Sequence, residues 1–248
     1  MAGALPRLWV ILPAYNVAAE IAAVVAVTRA QSFPGVTSTV LVVDDGSSDA
    51  TAALASAAGA TVLQHPRNRG VGASFRTGLE AARDANADFL AHMDADGQFR
   101  AVDLLRVVAP VVKGECDLAL GSRFVRGVPN PPNLSPWKAA ALHAVARGVG
   151  LATGVALGDL SCGMRCMNRR VIESISPTFD YDYITETLIQ AVAARARIRD
   201  VPVTPVYRNG GASGMAGHTF RYGCCFLGLT AYGLGQFYRK RAIELFQR

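Results

Sequence analysis

Asp94-Ala95-Asp96-Gly97-Gln98 follows directly on the apolar run Phe89-Leu90-Ala91-His92-Met93. A short run of that kind reads as a buried strand. Alternation along a strand puts Asp94 and Asp96 on the same side where the strand ends. Two carboxylates on one side repel unless a cation sits between them. Hard ions such as Mg²⁺ or Mn²⁺ take such oxygen ligands, usually together with phosphate oxygens of a substrate. An isolated Asp-x-Asp also fits two solvated turn carboxylates, so its meaning depends on what the chain brings beside it.

The elements that must position this pair alternate. Leu8-Trp9-Val10-Ile11-Leu12, stopped by Pro13, is a first buried strand, and a helical segment follows over residues 18–29. Thr39-Val40-Leu41-Val42-Val43 is a second strand, closed by Asp44-Asp45-Gly46-Ser47-Ser48-Asp49, where Ser48 or Asp49 would cap a helix reaching residue 58. Thr61-Val62-Leu63 is a short third strand, and residues 70–84 and 101–112 read as helices on either side of the Asp94 strand. Asp117-Leu118-Ala119-Leu120 is a further strand ending in Gly121-Ser122-Arg123. Such alternation implies right-handed crossovers and a mostly parallel sheet. In open α/β sheets the ligand lies beyond the carboxyl ends of the strands. Pro13-Ala14-Tyr15-Asn16, Asp44-Asp45, Asp94-Ala95-Asp96 and Ser122-Arg123 all fall on that edge.

Beyond Arg123 the texture changes. Residues 128–136 carry four prolines and form a loop, a helix runs over 137–152, and Asp159 to Arg165 is a turn-rich connection. Residues 183–195 read as a helix, and 201–207 as an extended segment whose Pro202 and Pro205 mark a sheet edge. Residues 222–238 are uncharged and glycine-rich, and Arg239-Lys240-Arg241 follows. That stretch falls short of the ~20 apolar residues of a spanning helix, so it either packs on the domain or lies in a membrane interface.

Composition narrows the class. At 248 residues, 51% of them hydrophobic, the chain can bury a sizeable core in one α/β domain. Its net charge of +6 suits anionic substrates, nucleic acid or an anionic membrane surface. No Lys/Arg-rich run is interleaved with aromatics, so no nucleic-acid partner is expected. Five cysteines are an odd count, and none has zinc spacing. Cys162 and Cys166 are therefore expected as reduced core thiols, in a cytoplasmic protein that is at most peripheral at the cytoplasmic membrane face. His92, among apolar residues, is expected as a satisfied interior histidine, while His65 and His143 carry no pattern. Gly70-Val71-Gly72 suggests a dinucleotide loop, but Phe75 stands where the third glycine belongs.

With Pro13-Ala14-Tyr15-Asn16, Val43-Asp44-Asp45-Gly46-Ser47-Ser48-Asp49, Asn68-Arg69-Gly70 through Gly78 and Asp94-Ala95-Asp96-Gly97-Gln98 assembled, the chain resembles the family 2 glycosyltransferases of the GT-A fold. Gly121-Ser122-Arg123, Asp159 to Arg165 and Val201-Pro202-Val203 with Arg208 and Ser213 are similar to the polyprenyl-phosphate sugar transferases, of which dolichyl-phosphate mannose synthase is one. The resemblance implies a Rossmann-like open, mostly parallel sheet with helices on both faces. Residues 1–215 would form the catalytic domain, with a nucleotide-sugar half over 1–125 and an acceptor-side half over 126–215, and 216–248 a C-terminal helix. It further implies that Pro13, Ala14, Tyr15, Val43, Asp44, Asp45, Asp94, Ala95 and Arg208 bind the nucleotide-sugar, a GDP- or UDP-sugar. Asp94, Asp96 and Gln98 would hold Mg²⁺ or Mn²⁺, with Asp96, Arg123 and Glu186 catalytic.

By the same resemblance the reaction is an inverting, in-line transfer. A lipid phosphate, with a second pKa near ~6, attacks without help. A hydroxyl acceptor needs a carboxylate, for which Asp159, Asp180, Asp182 and Glu186 are the candidates, Glu186 first. The chain departs from these relatives in three places: Val17 replaces a glutamate, Gly211-Ala212-Ser213-Gly214 omits an acid and a lysine, and Lys138 precedes three alanines rather than further cations. His218 or Arg221 would have to compensate. A polyprenyl phosphate, a soluble metabolite, glycan or peptide acceptor, and a non-catalytic nucleotide-sugar binder therefore all stay open.

Overall fold

The computed structural model describes residues 4–124, 136–160, 162–180, 183–204 and 235. Strand β1 (Arg7–Ala14) leads to helix α1 (Ile21–Arg29), β2 (Thr37–Asp44), α2 (Thr51–Ala57) and β3 (Thr61–Gln64). Then come α3 (Val71–Asp84), β4 (Phe89–His92), α4 (Ala101–Val112) and β5 (Leu118–Ser122). The second half adds α5 (Pro136–Thr153), β6 (Arg165–Asn168), α6 (Arg169–Ser174), α7 (Tyr183–Ala193) and β7 (Ile198–Pro202). The seven strands form one sheet in the order β3-β2-β1-β4-β6-β5-β7. All are parallel except β6, which runs against both β4 and β5. This is the open, mostly parallel GT-A sheet expected.

Period-two alternation sorts the strand residues onto two cores. Leu8, Val10 and Leu12 of β1 and Val40 and Val42 of β2 pack against Ile21, Val24 and Val25 of α1 and Leu104, Val107 and Val111 of α4. Ile11, Leu41, Val43 and Leu90 turn the other way, onto Phe75 and Leu79 of α3 and the second-half helices. With both faces covered, β1 and β2 become the near-continuous apolar runs seen in the sequence. Fully burying each such Leu or Ile contributes on the order of 1.5–3 kcal/mol.

Two second-half elements differ from expectation. The segment ending at Arg165 continues into β6 and α6 rather than remaining a turn-rich connection. Arg-Cys-Met-Asn lacks the apolar run that signals a core strand, because it opens on a buried arginine. The last strand also begins earlier, at Ile198, where Arg199 and Asp200 interrupt the hydrophobic pattern. In the first half, the α2 N-cap is Ala50 rather than Ser48 or Asp49, and Asp49 just before it accepts from Thr51 N at 3.0 Å and Ala18 N at 3.1 Å.

Because β1, β2, β4 and β5 are parallel, their carboxyl ends share one edge of the sheet. The reversed β6 brings its amino end there too, so Cys162-Gly163-Met164 arrives beside Asp94.

Candidate active site

Strand β4 ends at His92, two residues short of Asp94, so the two carboxylates stand in a turn and not on the strand itself. They remain neighbours: the charge of Asp94 pushes the Asp96 carboxyl up. Gly97 supplies the turn with φ +73° and Gln98 N donates to Asp96 Oδ1 at 2.9 Å. Burial is the largest cause holding Asp96 above the ordinary carboxylate range, with Asp94 and Glu20 adding to it. Asp94 is raised as well, again mainly by burial, while the Arg165 and Arg123 guanidiniums oppose the shift. Ala95 between them is buried.

Arg165 is the cation beneath this pair. Its side chain is 1% exposed, on β6 opposite His92. It donates to Ile184 O at 3.1 Å and Cys162 O at 3.0 Å, and more weakly to Gly163 O at 3.4 Å. His92 Nδ1 meets the same Gly163 carbonyl at 2.6 Å. A carbonyl only accepts, so Nδ1 carries the proton and Nε2 accepts from the Tyr183 hydroxyl at 3.0 Å. Burial and then Arg165 hold His92 down to about 3, so it is the neutral interior histidine expected. Gly163, pinned in this way, lies so close to Asp94 that a Cβ there would sit 2.7 Å from Oδ1 and 2.8 Å from Oδ2.

Arg123, at the end of β5, is clasped by the buried Asp159, with Nε to Oδ2 at 2.7 Å and Nη2 to Oδ1 at 3.0 Å. Its charge still reaches Asp94.

At the neighbouring strand ends, Tyr15 is 48% exposed, whereas Ala14 and Val43 are buried and Pro13 half-buried. Asp44 turns inward to Gln64 Nε2 at 2.8 Å and to Ser47. Asp45 accepts from Gly70 N at 2.8 Å, Arg69 N at 3.0 Å and His65 Nδ1 at 2.7 Å, and His65 continues to Thr77 Oγ1 at 2.9 Å. Asp45 thus shapes the 65–70 loop with its own oxygens, while Asp44 ties the Ser47 turn to the end of β3. The start of α3 is closed as well, since Gly72 N donates to Asp180 O at 2.7 Å, which excludes the dinucleotide reading.

Glu186, expected as the leading candidate base, is engaged by the protein's own donors in this structure. Its carboxylate accepts from Thr178 N at 2.7 Å, Thr178 Oγ1 at 2.9 Å and Phe179 N at 3.0 Å, and Gln190 adds a fourth donor. It clamps the loop before α7 instead of standing open as a base. Asp180 pairs with Arg76, and Asp159 with Arg123. Arg208, Asp182, Ser213, His218, Arg221 and the 216–248 segment apart from residue 235 lie outside the described residues.

Arg165, Gly163, His65 and Glu20 were given no role from sequence. A strand arginine and a lone His before Pro66 look like surface residues, and Glu20 stands in no motif. The turn over residues 17–20 brings it within electrostatic reach of Asp96. Cys116, Cys162 and Cys166 are buried free thiols, and burial pushes Cys162 up to about 12.

Among the described residues no three His, Cys, Asp or Glu side chains converge as a metal cage. The corner offers two carboxylates, short of cationic charge, beside two guanidiniums.

Residues 9–176 match the family model for glycosyl transferase family 2. The chain belongs to that family. This family 2 transferase is 30% identical over 226 residues to polyprenol monophosphomannose synthase of Mycolicibacterium smegmatis, covering 87% of this chain and 83% of that one. It is 25% identical over 223 residues to UDP-N-acetylglucosamine–dolichyl-phosphate N-acetylglucosaminyltransferase of Methanococcus voltae, covering 81% and 86%. In fold it is similar to glucosyl-3-phosphoglycerate synthase of Mycobacterium tuberculosis, solved with Mn²⁺, UDP-glucose and phosphoglyceric acid, at a TM-score of 0.69 and 19% identity over 93% of this chain and 80% of that one. Mannosyl-3-phosphoglycerate synthase of Rubrobacter xylanophilus gives 0.65 at 18% identity, over 98% and 76%.

Proposed function

We propose that this transferase moves a sugar from a GDP- or UDP-sugar to a polyprenyl phosphate, inverting the anomeric carbon. The observation that carries the donor half is the Asp94/Asp96 pair, both carboxyls raised and set beside Arg165 and Arg123 on the carboxyl edge. Mg²⁺ or Mn²⁺ fits that donor set, since such ions use one or two carboxylates and complete their shell with substrate phosphates and water. When bound, the ion neutralises charge developing on the departing diphosphate. Gln98 is proposed as a further ligand through its side-chain oxygen. Tyr15 offers an aromatic face for the base, Pro13, Ala14, Val43 and Ala95 line its seat, and Asp44 and Asp45 hold the loops around it. Arg123 and Arg208 are the proposed phosphate-binding cations.

The state of the carboxylates supports a phosphate acceptor. A hydroxyl acceptor needs an open base, and Asp159, Asp180 and Glu186 are all engaged by the protein's own donors. A lipid phosphate is already anionic. One of its oxygens forms the bond to the anomeric carbon, while the bond from that carbon to the diphosphate breaks and its electron pair leaves with the nucleoside diphosphate. Relatives named for sugar transfer to polyprenol or dolichyl phosphate support the same acceptor. Among the described residues no helix is long and apolar enough to cross a membrane. Peripheral membrane contact is proposed for the 216–248 segment on its sequence, an uncharged run followed by Arg239-Lys240-Arg241.

The test incubates the full chain with Mn²⁺, undecaprenyl phosphate in detergent, and GDP-mannose, UDP-glucose or UDP-N-acetylglucosamine. Mass spectrometry should find a glycosyl phosphoryl lipid with one donor. Transfer confined to a hydroxyl acceptor such as phosphoglycerate moves the reading to a soluble substrate. No nucleotide release with any donor leaves a nucleotide-sugar binder.

A further inference from the structure

Asp200 is a half-buried acid that no step above uses. It lies on β7 opposite Leu120 of β5, near the edge of the sheet. Oδ2 accepts from Gly158 N at 2.5 Å. Oδ1 is buried with no hydrogen-bond partner among the described residues. Gly158 is wedged in the gap, for a Cβ there would meet Asp200 Oδ2 at 2.8 Å and Ser122 Oγ at 3.0 Å. The next residue is Asp159, which clasps Arg123 through two side-chain bonds and accepts from Arg123 N at 3.2 Å. Three links thus run from Asp200 to Gly158, to Asp159, and to the guanidinium whose charge reaches Asp94.

We propose that Asp200 is a positioning residue for sugar transfer, its ionised carboxylate fixing the Gly158 turn and, through Asp159, the placement of Arg123 at the diphosphate site. The proposal rests on the donor-site reading above. A charged acceptor makes a shorter, stronger bond to a backbone N–H than a neutral one. Protonation of Asp200 weakens that bond and loosens the turn. Burial first, then the Asp159 charge, raises this carboxyl to about 6, with the Gly158 N–H opposing. The charged groups around it are Asp159 and Arg123 at the turn, and Arg106, Lys113, Glu115 and Arg199 in the groove along the strand.

The experiment uses the full chain and two readouts between pH 5 and 8. The first is the ¹⁵N resonance of Arg123 Nε in the metal-free protein, for wild type and Asp200→Asn. The second is calorimetric affinity for Mn²⁺ with UDP and with GDP, for the same proteins and Asp94→Asn. The Arg123 resonance should show a step with a midpoint near 6 in wild type that is missing in Asp200→Asn. Nucleotide affinity should fall about tenfold more steeply toward pH 5 in wild type than in Asp200→Asn. Asp94 and Asp96 titrate in both proteins, so the difference between the two isolates Asp200. A wild-type Arg123 resonance without that step overturns the proposal, and so does an identical pH dependence of affinity in the two proteins. If wild type binds neither nucleotide while the resonance titrates, the donor-site reading fails, and with it the role given to Asp200, though not the coupling. Asp94→Asn losing affinity at every pH is the positive control for that reading.

Discussion

Gly163→Ala tests whether Asp94 is held by close packing from below. The new Cβ would stand 2.7 Å and 2.8 Å from the two Asp94 oxygens and 3.0 Å from Cγ, whereas ordinary contact begins at 3.4 Å. The carboxylate must therefore withdraw by about 0.7 Å (3.4 less 2.7). The chain at Gly163 cannot withdraw instead, because its carbonyl is bonded to His92 and Arg165. Metal sites tolerate ligand displacements of about ±0.2 Å, and a misplacement near 1 Å can cost on the order of 10²-fold in rate. Gly163 has no positive φ, so the substitution carries no left-handed strain, and it reduces the freedom of the unfolded chain by about 0.4–1 kcal/mol. Turnover and Mn²⁺-dependent nucleotide affinity should fall ten- to a hundredfold while Tm moves by a few degrees at most. Gly148→Ala, at a helical glycine with nothing within 4 Å, is the matched control and should leave both unchanged. If Gly163→Ala keeps turnover within twofold of wild type, the packing argument is wrong.

Asp94→Asn should raise the Tm of the metal-free protein at neutral pH while abolishing activity. A carboxyl raised by folding binds its proton more tightly in the native state, so ionising it costs stability as pH climbs from the usual carboxylate value through the raised one. An unchanged or lower Tm contradicts the shift; differential scanning calorimetry at pH 5 and 7.5 reads it. Glu186→Gln keeps the clamp's shape and weakens its charge-assisted bonds, so it should cost about 1–3 kcal/mol of stability and leave kcat within a few-fold. A kcat loss beyond a thousandfold without unfolding would restore Glu186 as a base.

The first half of the fold was legible because its signals are local. Each apolar run of four or five residues ends in a polar cluster, and those clusters are the strand ends of β1, β2, β4 and β5. Asp94 and Asp96 were visible for the same reason, although the strand stops before them and a Gly97 turn, not alternation, keeps them together. What stayed hidden depends on contacts between distant residues. Arg165 reads as a surface charge until β6 is placed against β4, and His65 gains meaning only beside Asp45 and Thr77. Glu186 looked like a base because it is one acid in an apolar helix. Its partners, Thr178 and Phe179, come from a preceding loop whose path nothing in its own residues dictates.

The reversed strand has a consequence for how the chain is made. Between β4 and β5 the sheet is joined only through β6, whose last residue leaves the ribosome seventy-six residues after His92 (168 less 92). Until then the nascent first half carries a bare strand edge beside β4, a ready template for pairing with another chain. β5 waits detached for the same bridge. Closure over such a separation is slow compared with local hairpins. A fragment ending near residue 125 would keep that edge open and would be prone to aggregate.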